Sequence, residues 1–479
     1  MDGRASPIVT AETGAQAPDL AAAAGEPAGL KITSGYGLWV LVLLLAINAV
    51  NFIDRTIVNI LSQPIKADLH LADWQIGLMG GLTFAVFYAS LGLPIARLAE
   101  RRSRVSIISL AIGAWSLMTA LCGLAGTYLQ LLACRVGVGV GEAGCSPPAH
   151  SPISDYFPLS RRATALSIFS LGVPLGALIG AVFGGWAADN LGWRTAIMLV
   201  GAPGLVLAIV ARLTLKEPPR GHSEAASAQA DEPPSALMDV ARLLLSRPEF
   251  RHVAAGATLA SFAGYGIGQF SAAYFVREFG LSLQTVGLVF GMIGGVSAGL
   301  GTVLGGVLTD FAGRRDPRGY ALVPAAGLII ASPLYIAAYL QGDWRWAAGL
   351  LLLPGVFHYT FLGPSFAITH AIVRPRMRAT ASALLMLAMT LIGLGLGPLL
   401  VGAAGDILAN LVFAGDFSTL CPGGVAPHGA DAGVKAACMQ ASATGIQRAI
   451  AGCAAVYAWA GLHFALAGRA MDRKQDPAI

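Results

Sequence analysis

Long apolar segments recur along the whole chain, and they constrain its fold more than any other feature. Each holds about 20 residues or more, the length that a helix needs to cross the hydrocarbon core of a bilayer. We place twelve, in two sets of six: 37–61, 75–97, 105–125, 128–149, 163–187, 194–214, 252–276, 283–308, 320–340, 346–372, 379–403 and 447–468. The pattern predicts an all-α membrane protein with 12 transmembrane helices in two six-helix halves.

The composition supports a membrane location. Hydrophobic residues make up 55% of the 479 residues, and charged residues only 12%, about half the charged fraction of soluble domains. The 60 glycines are also typical of helical membrane proteins. The net charge of +5 is small, and we expect no nucleic-acid partner.

Most of the 31 Lys and Arg residues fall in loops on one face, so both termini are predicted to be cytoplasmic. The N-terminal stretch has no early apolar core with a cleavage site, so we expect no cleaved signal peptide. An amphipathic surface helix is expected at Ala236–Leu245. The predicted order is a disordered cytoplasmic tail, an N-terminal bundle, a cytoplasmic linker, a C-terminal bundle and a second cytoplasmic tail: 1–34, 35–216, 217–250, 251–469 and 470–479.

One apolar segment contains charged residues and four closely spaced glycines. It reads R-V-G-V-G-V-G-E-A-G-C-S-P-P from Arg135 to Pro148. Arg135 and Glu142 are two helical turns apart, so they lie on one face of the helix. Charged side chains inside a membrane face a partner or a water-filled cavity. We therefore expect this helix to form one wall of a substrate or ion pathway.

Two other interpretations of this stretch were considered. Gly139 to Gly144 also spells G-x-G-x-x-G, but no short strand precedes it and the next acid, Asp155, is too near to bind a ribose. A purely structural ion pair that joins two helices remains open.

The first apolar segment carries the matching charges, Asp54 and Arg55, beside the polar residue Asn51. Asp54 and Arg135 should lie at similar depth and pair, with Glu142 roughly 10 Å deeper and without an equally close partner. We expect Glu142 and Asp54 to couple transport to protons, Glu142 as the carrier and Asp54 as a switch. Arg55 and Arg135, with Asn51, are expected to bind an anionic substrate group.

The C-terminal half offers mainly uncharged candidates. We expect Tyr265, Gln269, His358 and Tyr359 to contact substrate, although a lone His in an apolar helix is also an ordinary packing residue. Five phenylalanines are candidates for lining an acyl-chain cavity: Phe262, Phe270, Phe357, Phe361 and Phe366. A charged half facing an apolar half would suit a substrate with a polar head and an apolar tail.

Small residues recur at helical spacing in the fifth and eleventh segments, at Gly172–Gly184 and Gly393–Pro398. Such spacing favours close, sliding helix contacts. We interpret both as the interface on which the halves rock, with ordinary tight packing as the alternative.

A loop motif occurs in both halves. Ala96–Arg104 reads A-R-L-A-E-R-R-S-R after the second segment, and Gly306–Arg315 reads G-V-L-T-D-F-A-G-R-R after the eighth. Parallel repeats of this kind are typical of transporters. The second copy resembles the G-x-L-x-D-x-x-G-R-R loop of the major facilitator superfamily, from which the first departs at Ala96 and Glu100. The resemblance implies a latch that is released as the transporter changes state, formed by Glu100, Arg101, Arg104, Asp310, Arg314 and Arg315.

Within that superfamily, residues 40–200 resemble the Spinster family of lipid transporters, while the C-terminal half matches weakly. The matching runs are N-F-I-D-R from Asn51, R-V-G-V-G-V-G-E-A-G-C-S from Arg135, S-P-I-S-D-Y-F from Ser151 and S-L-G-V-P-L-G from Ser170. The resemblance implies a proton-coupled carrier of an amphipathic lipid, such as a lysophospholipid or a sphingosine-phosphate-like lipid. A symporter of small organic anions is the alternative, because those carriers share the Asn-aromatic-x-Asp-Arg start.

Other classes of protein fit less well. The chain has no G-x-x-x-x-G-K-S/T loop of a primary pump. It shows no Ser-His-Asp grouping or metal-ligand cluster, although a membrane hydrolase using His358 or His370 was considered. We expect a monomer in the bacterial cytoplasmic membrane that is not an enzyme and needs no metal or cofactor besides the proton. Its partners would be the small-molecule or lipid substrate and membrane lipids.

The predicted outer loop 405–446 is long and polar, and it contains Cys421 and Cys438. Outside the cytoplasm these two residues could form a disulfide across a gap of 16 residues. Two free thiols are the alternative.

Overall fold

The computed structural model describes residues 34–144, 153, 156–157, 159–217, 237–374, 377–427 and 429–472. The regular elements of these ranges are helices. We number the α-helices in chain order: α1 Ser34–Ile60, α2 Ser62–Leu69, α3 Asp73–Gly77, α4 Thr83–Arg101, α5 Arg104–Cys122, α6 Tyr128–Glu142, α7 Leu159–Ser170, α8 Gly172–Leu191, α9 Trp193–Thr214, α10 Leu237–Ser246, α11 Pro248–Phe279, α12 Leu283–Gly313, α13 Gly319–Tyr339, α14 Trp344–His358, α15 Leu362–Ile372, α16 Arg378–Ala388, α17 Gly395–Val412, α18 Phe417–Leu420 and α19 Ala432–Asp472.

These elements form the twelve membrane-spanning helices of two six-helix halves. Within the described ranges, ten stretches are long and apolar enough to cross a bilayer. Two further helices, α6 and α11, bring the number of spans to twelve. Helix α6 carries Arg135 and Glu142, and α11 carries charged residues near both ends. Several spans are made of two helices that continue into each other, as α3 continues through a π-helical turn, Leu78–Leu82, into α4.

Local sequence signals set many of the helix boundaries. The side chains of Ser103, Thr127 and Ser282 accept hydrogen bonds from backbone N–H groups at the starts of α5, α6 and α12. Such caps satisfy amide groups that the first turn of a helix leaves unpaired. Gly280 ends α11 in the left-handed conformation, with φ of 63°, which glycine adopts without a steric cost.

The predicted linker helix is present as α10, one residue away from the predicted bounds. Its apolar face, Val240 and Leu244, packs with Phe250, Val373 and Ala381 at the cytoplasmic end of the C-terminal half. Residues 218–236 of the predicted linker lie outside the described ranges, as do 145–152 and 154–155, which carry part of the Spinster-like motifs.

The glycine stripe of α8 does not lie between the halves, so that part of the prediction was wrong. Side chains added at Gly172, Gly176 and Gly180 would collide with α1, which belongs to the same half. The next position, Gly185, is the one that packs against Leu283 of the C-terminal half. One helix can present small residues to two neighbours, and sequence spacing does not say which neighbour each face meets.

The glycines of α16–α17 divide between two partners. Gly393 and Gly397 approach α11 in their own half, whereas Gly395 approaches Leu82 and Ala85 of the N-terminal half. Only part of the predicted second stripe therefore lies between the halves.

The two halves meet over the outer parts of their helices. Asp406 of α17 accepts hydrogen bonds from the backbone N–H groups of Asp73 and Trp74, at 3.0 and 2.9 Å. Asp189 of α8, in the N-terminal half, accepts hydrogen bonds from the backbone N–H groups of Leu283 and Gln284 in the C-terminal half, at 3.3 and 2.7 Å. Each half thus caps the start of a helix in the other, where a carboxylate also complements the helix dipole.

Toward the cytoplasm the halves separate. A methyl group added at Gly291 of α12 would come within 3.2 Å of Leu178, but at Gly295 the nearest atom is 3.9 Å away. Further along, Gly299 of α12 and Gly92 of α4 have no described atom within 4 Å of such a methyl group. The chain is therefore closed on the outer side and open toward the cytoplasm.

Candidate functional site

Arg55 of α1 and Glu142 of α6 form a close ion pair inside the N-terminal half. Arg55 Nε and Nη2 lie 2.7 and 2.6 Å from the same oxygen, Glu142 Oε2. The Glu142 side chain is fully buried, whereas the Arg55 side chain is 24% exposed. The expectation that Glu142 has no close partner was wrong. The long Arg55 side chain reaches Glu142, since adjacent residues of α1 point to different parts of α6.

Asp54 and Arg135 form a second, looser pair between the same two helices. Arg135 Nη1 lies 3.6 Å from Asp54 Oδ1, and Thr119 of α5 donates a hydrogen bond to Asp54 Oδ2. All three side chains are buried. A cavity of about 10 Å³ beside Asp54 and Arg135 has room for about one water molecule. This pairing agrees with the depths predicted from sequence.

Several buried polar atoms of the N-terminal site have no hydrogen-bond partner among the described residues. Among the described residues, Asp54 Oδ1, Glu142 Oε1 and Arg135 Nε have no hydrogen-bond partner, and neither amide atom of Asn51 has one. Unpaired buried polar atoms are costly. Such atoms can be satisfied by a bound water, a proton or a substrate group, so this cluster is suited to exchanging partners.

Three aromatic rings lie close to the Arg55 guanidinium. Its Cζ lies 5.3 Å from the ring centre of Phe52, 4.8 Å from that of Phe84 and 5.1 Å from that of Tyr88. Rings at such distances attract a cation through their π-faces. Phe84 and Tyr88 belong to α4, and sequence reasoning missed them, although they are one helical turn apart and so share a face.

Tyr265 of α11 faces this cluster from the other half. Its side chain is 47% exposed and interacts electrostatically with Arg55 and with Tyr359. Gln269, one turn further along α11, is buried against Gly80 of the N-terminal half, with its Nε2 unpaired among the described residues. The structure therefore places Gln269 between the halves, with Tyr265 one turn away on the same face of α11. Tyr359 lies beside Gly301 of α12, within its own half.

His358 lies in a stack of rings. Its ring centre is 4.5 Å from that of Tyr359, 4.9 Å from that of Tyr457 and 6.0 Å from that of Phe361. The side chain is 8% exposed and also touches Gly264. This environment is the one expected of a packing histidine, and it leaves little room for a substrate at the imidazole.

Two of the five phenylalanines proposed for an acyl-chain cavity are core residues. Phe270 is fully buried and Phe361 is 4% exposed. The other three are partly buried and are not enclosed in the same way: Phe262, Phe357 and Phe366.

The repeated loops lie at the cytoplasmic ends of α4 and α12. Asp310 accepts a hydrogen bond from Tyr320 at 2.9 Å, and Arg315 lies over the ring of Phe311 at 4.6 Å. Arg314 ends α12, with its backbone N–H bonded to the Asp310 carbonyl. The side chains of Glu100 and Arg101 lie outside the described part of the structure.

Arg104 of the first loop pairs with a residue that sequence reasoning did not single out. Its Nε lies 2.7 Å from Glu217 Oε1, and Ser103 Oγ and the Val105 N–H donate to Oε2 at 2.8 and 3.0 Å. Partial burial raises the pKa of Glu217, but these hydrogen bonds outweigh it and leave the pKa below its ordinary value of 4.5. Glu217 thereby fastens the start of the linker to α5.

The outer ends of the halves are joined by a buried ion network. Asp73 accepts two hydrogen bonds from Arg277 of α11, each 2.7 Å long, and one from Lys66 of α2 at 2.6 Å. Arg277 Nε donates to Gln63 Oε1 at 2.7 Å. These charges were missed because they lie at predicted segment ends, where the sequence pattern suggests exposure to water.

Cys421 and Cys438 are joined by a disulfide with Cα atoms 5.6 Å apart. Both are buried. Within the described ranges, no group of three or more His, Cys, Asp or Glu side chains is placed to hold a metal ion.

Comparison with known proteins agrees with this architecture. Residues 44–408 match the family model of the Major Facilitator Superfamily. An MFS-type efflux pump of Mycolicibacterium smegmatis is 34% identical over 78% of this chain and 85% of its own length. Protein spinster homolog 1 of Xenopus tropicalis is 28% identical over 78% of this chain and 74% of its own.

A solved structure is similar over nearly the whole chain. It is a bacterial homologue of the human lysosomal transporter Spinster in an inward-facing, unoccupied conformation. The TM-score is 0.81 and the identity 34%, over 93% of this chain and 100% of that one. Its inward-facing state matches the cytoplasmic opening described above. With the motifs of α1 and α6, these matches show that this multi-pass integral membrane protein belongs to the major facilitator superfamily and is a Spinster-like transporter.

Proposed function

We propose that this transporter is a proton-coupled carrier of an amphipathic lipid with an anionic headgroup, such as a lysophospholipid or a sphingosine-phosphate-like lipid. The observation that carries the proposal is the position of Arg55. It is the partly exposed member of a pair with a fully buried carboxylate, Glu142.

Proton coupling follows from competition for Arg55. Both Arg55 contacts go to one oxygen of Glu142, and a phosphate or carboxylate headgroup needs the same guanidinium donors. A proton on Glu142 removes the negative charge and releases Arg55. Because linkage is reciprocal, a headgroup bound to Arg55 also favours the protonated form of Glu142. Proton and substrate therefore bind together.

The second pair serves as the switch in this scheme. Asp54 is held by Arg135 and Thr119 in the inward-open state. Arg135 has a free Nε within the described residues, so it can follow either Asp54 or a substrate group as α1 and α6 change their relative position. In the state reached after this movement, Asp54 loses its contact with Arg135 and takes up a proton or contacts water instead.

The opposite half suits an apolar tail. Tyr265 is exposed on α11, and Phe262, Phe357 and Phe366 provide partly buried rings. Such rings can pack against an alkyl chain, while the rings around Arg55 surround the cation that would bind the headgroup. The relatives described above are transporters: spinster homologues, a homologue of a lysosomal transporter, and an efflux pump.

Reconstitution in proteoliposomes tests the proposal. Uptake of a labelled lysophospholipid and of a labelled small organic anion is measured with and without an imposed proton gradient. We expect the gradient to drive the lipid alone. Movement of the small anion alone would replace the substrate class while keeping Arg55 and Glu142 as the site. Lipid uptake at the same rate with and without the proton gradient would contradict proton coupling.

The repeated cytoplasmic loops enter this proposal as the latch. Asp310, Arg314 and Arg315 lie on the open side of the molecule, where the halves are apart. We infer that they make contacts between helices when the cytoplasmic side closes, and that Arg104 does the same in the first loop.

A further inference from the structure

The disulfide fixes a short turn to the outer end of the last spanning helix. Cys421 follows α18 directly, and Cys438 lies in the second turn of α19. Their sulfurs are in a small buried cluster with Phe417 and Ala441. The turn Pro422–Gly424 directly follows Cys421. The disulfide and this cluster therefore hold the start of the turn against α19.

The same turn lies on the other half of the molecule. A methyl group added to Gly423 would come within 2.8 Å of the His70 carbonyl carbon, at the end of α2. One added to Gly424 would come within 3.0 Å of Ser442 Oγ in α19 and within 3.2 Å of Lys66 Nζ in α2. Both glycines have positive φ, 65° and 74°, which larger residues rarely adopt. Only this pair of small, left-handed residues allows the turn to approach α2 so closely.

Lys66 belongs to the buried ion network that joins the halves. It is 1% exposed and contacts Asp73, which is itself held by Arg277. A continuous path of contacts therefore runs from α19 through the disulfide and the turn to Lys66 and back to α11. The turn also helps to exclude water from the network, and ion pairs are stronger where water is excluded.

We propose that the disulfide-closed turn Pro422–Gly424 is a strap that holds the outer side of the transporter closed. An outward-open state needs α2 and the start of α3 to leave α11, so the turn must also leave Lys66. With the disulfide intact, the turn stays in place on α19 and favours the inward-open state. Two-electron reduction of the disulfide by an external dithiol leaves the Cys421 and Cys438 thiols and a disulfide of the dithiol. It thereby frees the turn, admits water to the Asp73 network and shifts the population toward the outward-open state.

Distances between the outer ends of the halves test this proposal without any knowledge of the substrate. Asn190 at the end of α8 and Gly342 before α14 are exposed on opposite halves. Both are changed to cysteine, the native cysteines other than Cys421 and Cys438 are replaced, and maleimide spin labels are attached. Distance distributions are then recorded in lipid nanodiscs for the oxidised protein and for a Cys421→Ala/Cys438→Ala variant.

We expect the variant to shift toward longer outer distances, and a Gly424→Ala variant with the disulfide intact to shift in the same direction. Gly433→Ala, an exposed glycine at the start of α19, is the matched control and should leave the distribution unchanged. A lower melting temperature with unchanged distances would overturn the strap, because the disulfide would then act only as a stabiliser. If the double variant fails to fold, the Gly424→Ala result decides.

Discussion

The molecule holds two buried groups of charges that differ in how completely they are satisfied. In the outer network, both carboxylate oxygens of Asp73 are hydrogen-bonded, and Arg277 binds them as a planar fork. In the inner cluster, Asp54, Glu142 and Arg135 each retain an unpaired polar atom among the described residues. A saturated network resists change, whereas an unsaturated one accepts new partners at low cost.

The two groups also differ in what they connect. The outer network joins the N-terminal half to the C-terminal half, through Lys66, Asp73 and Arg277. The inner pairs stay within the N-terminal half, between α1 and α6. The first therefore controls the relative position of the halves, and the second can respond to a proton or substrate within one half. Three substitutions test this contrast, and a fourth tests a more exposed ion pair on the cytoplasmic side.

The largest expected effect comes from the outer network. Asp73→Asn removes the anion between Lys66 and Arg277 and leaves two buried cations without it. Breaking a buried pair on one side costs about 3–5 kcal/mol, so the melting temperature in detergent should fall by several degrees. The exposed outer pair provides the control, since Asp343→Asn, whose side chain is 50% exposed, should change little. An unchanged melting temperature for Asp73→Asn would contradict the role of this network in holding the outer ends of the halves together.

The inner cluster should instead govern transport. Glu142→Gln keeps the shape of the side chain but can neither take up a proton nor hold Arg55 by charge. We expect gradient-driven uptake to fall by at least about 100-fold, equivalent to about 2.7 kcal/mol, with expression and melting temperature close to wild type. Uptake that still follows the proton gradient in this variant would end the role of Glu142 as proton carrier.

A smaller effect is expected for headgroup recognition. Arg55→Lys keeps the positive charge but loses the planar fork that pairs with phosphate or carboxylate. The half-saturating substrate concentration should rise about tenfold, with a smaller change in maximal rate, since each tenfold step is about 1.4 kcal/mol. Arg345→Lys, 73% exposed on the outer side, is the matched control. Equal kinetics for Arg55→Lys and wild type would place the headgroup elsewhere.

The smallest effect concerns the cytoplasmic contact of Glu217 with Arg104. Because the folded-state pKa of Glu217 lies below 4.5, its stabilisation is complete above that value and is lost as the pH falls through the folded pKa. Glu217→Gln should therefore lower the melting temperature at pH 7, through a loss of less than about 1 kcal/mol in the free energy of unfolding after solvent screening. The difference from wild type should shrink below about pH 4. A difference that is independent of pH would contradict the charge-based account.

Much of the fold was predictable because membrane spans are set by composition. About 20 apolar residues are needed to cross the bilayer wherever a helix lies in a bundle. The count of twelve and the two halves follow from that constraint, and the amphipathic pattern of the linker predicts the helix at Leu237–Ser246. The partners of the glycine stripe in α8 did not follow, because one helix surface can meet a neighbour in either half.

For the charged residues, too, some properties were predictable from the sequence and others were not. Residue spacing was enough to place Asp54, Arg55, Arg135 and Glu142 inside the membrane on two helices, since spacing along one helix fixes depth and face. Spacing could not show that Glu142 binds Arg55 or that Asp73 lies between Lys66 and Arg277. The rotation and tilt of neighbouring helices choose between partners at similar depth, and these angles come from packing across the whole bundle.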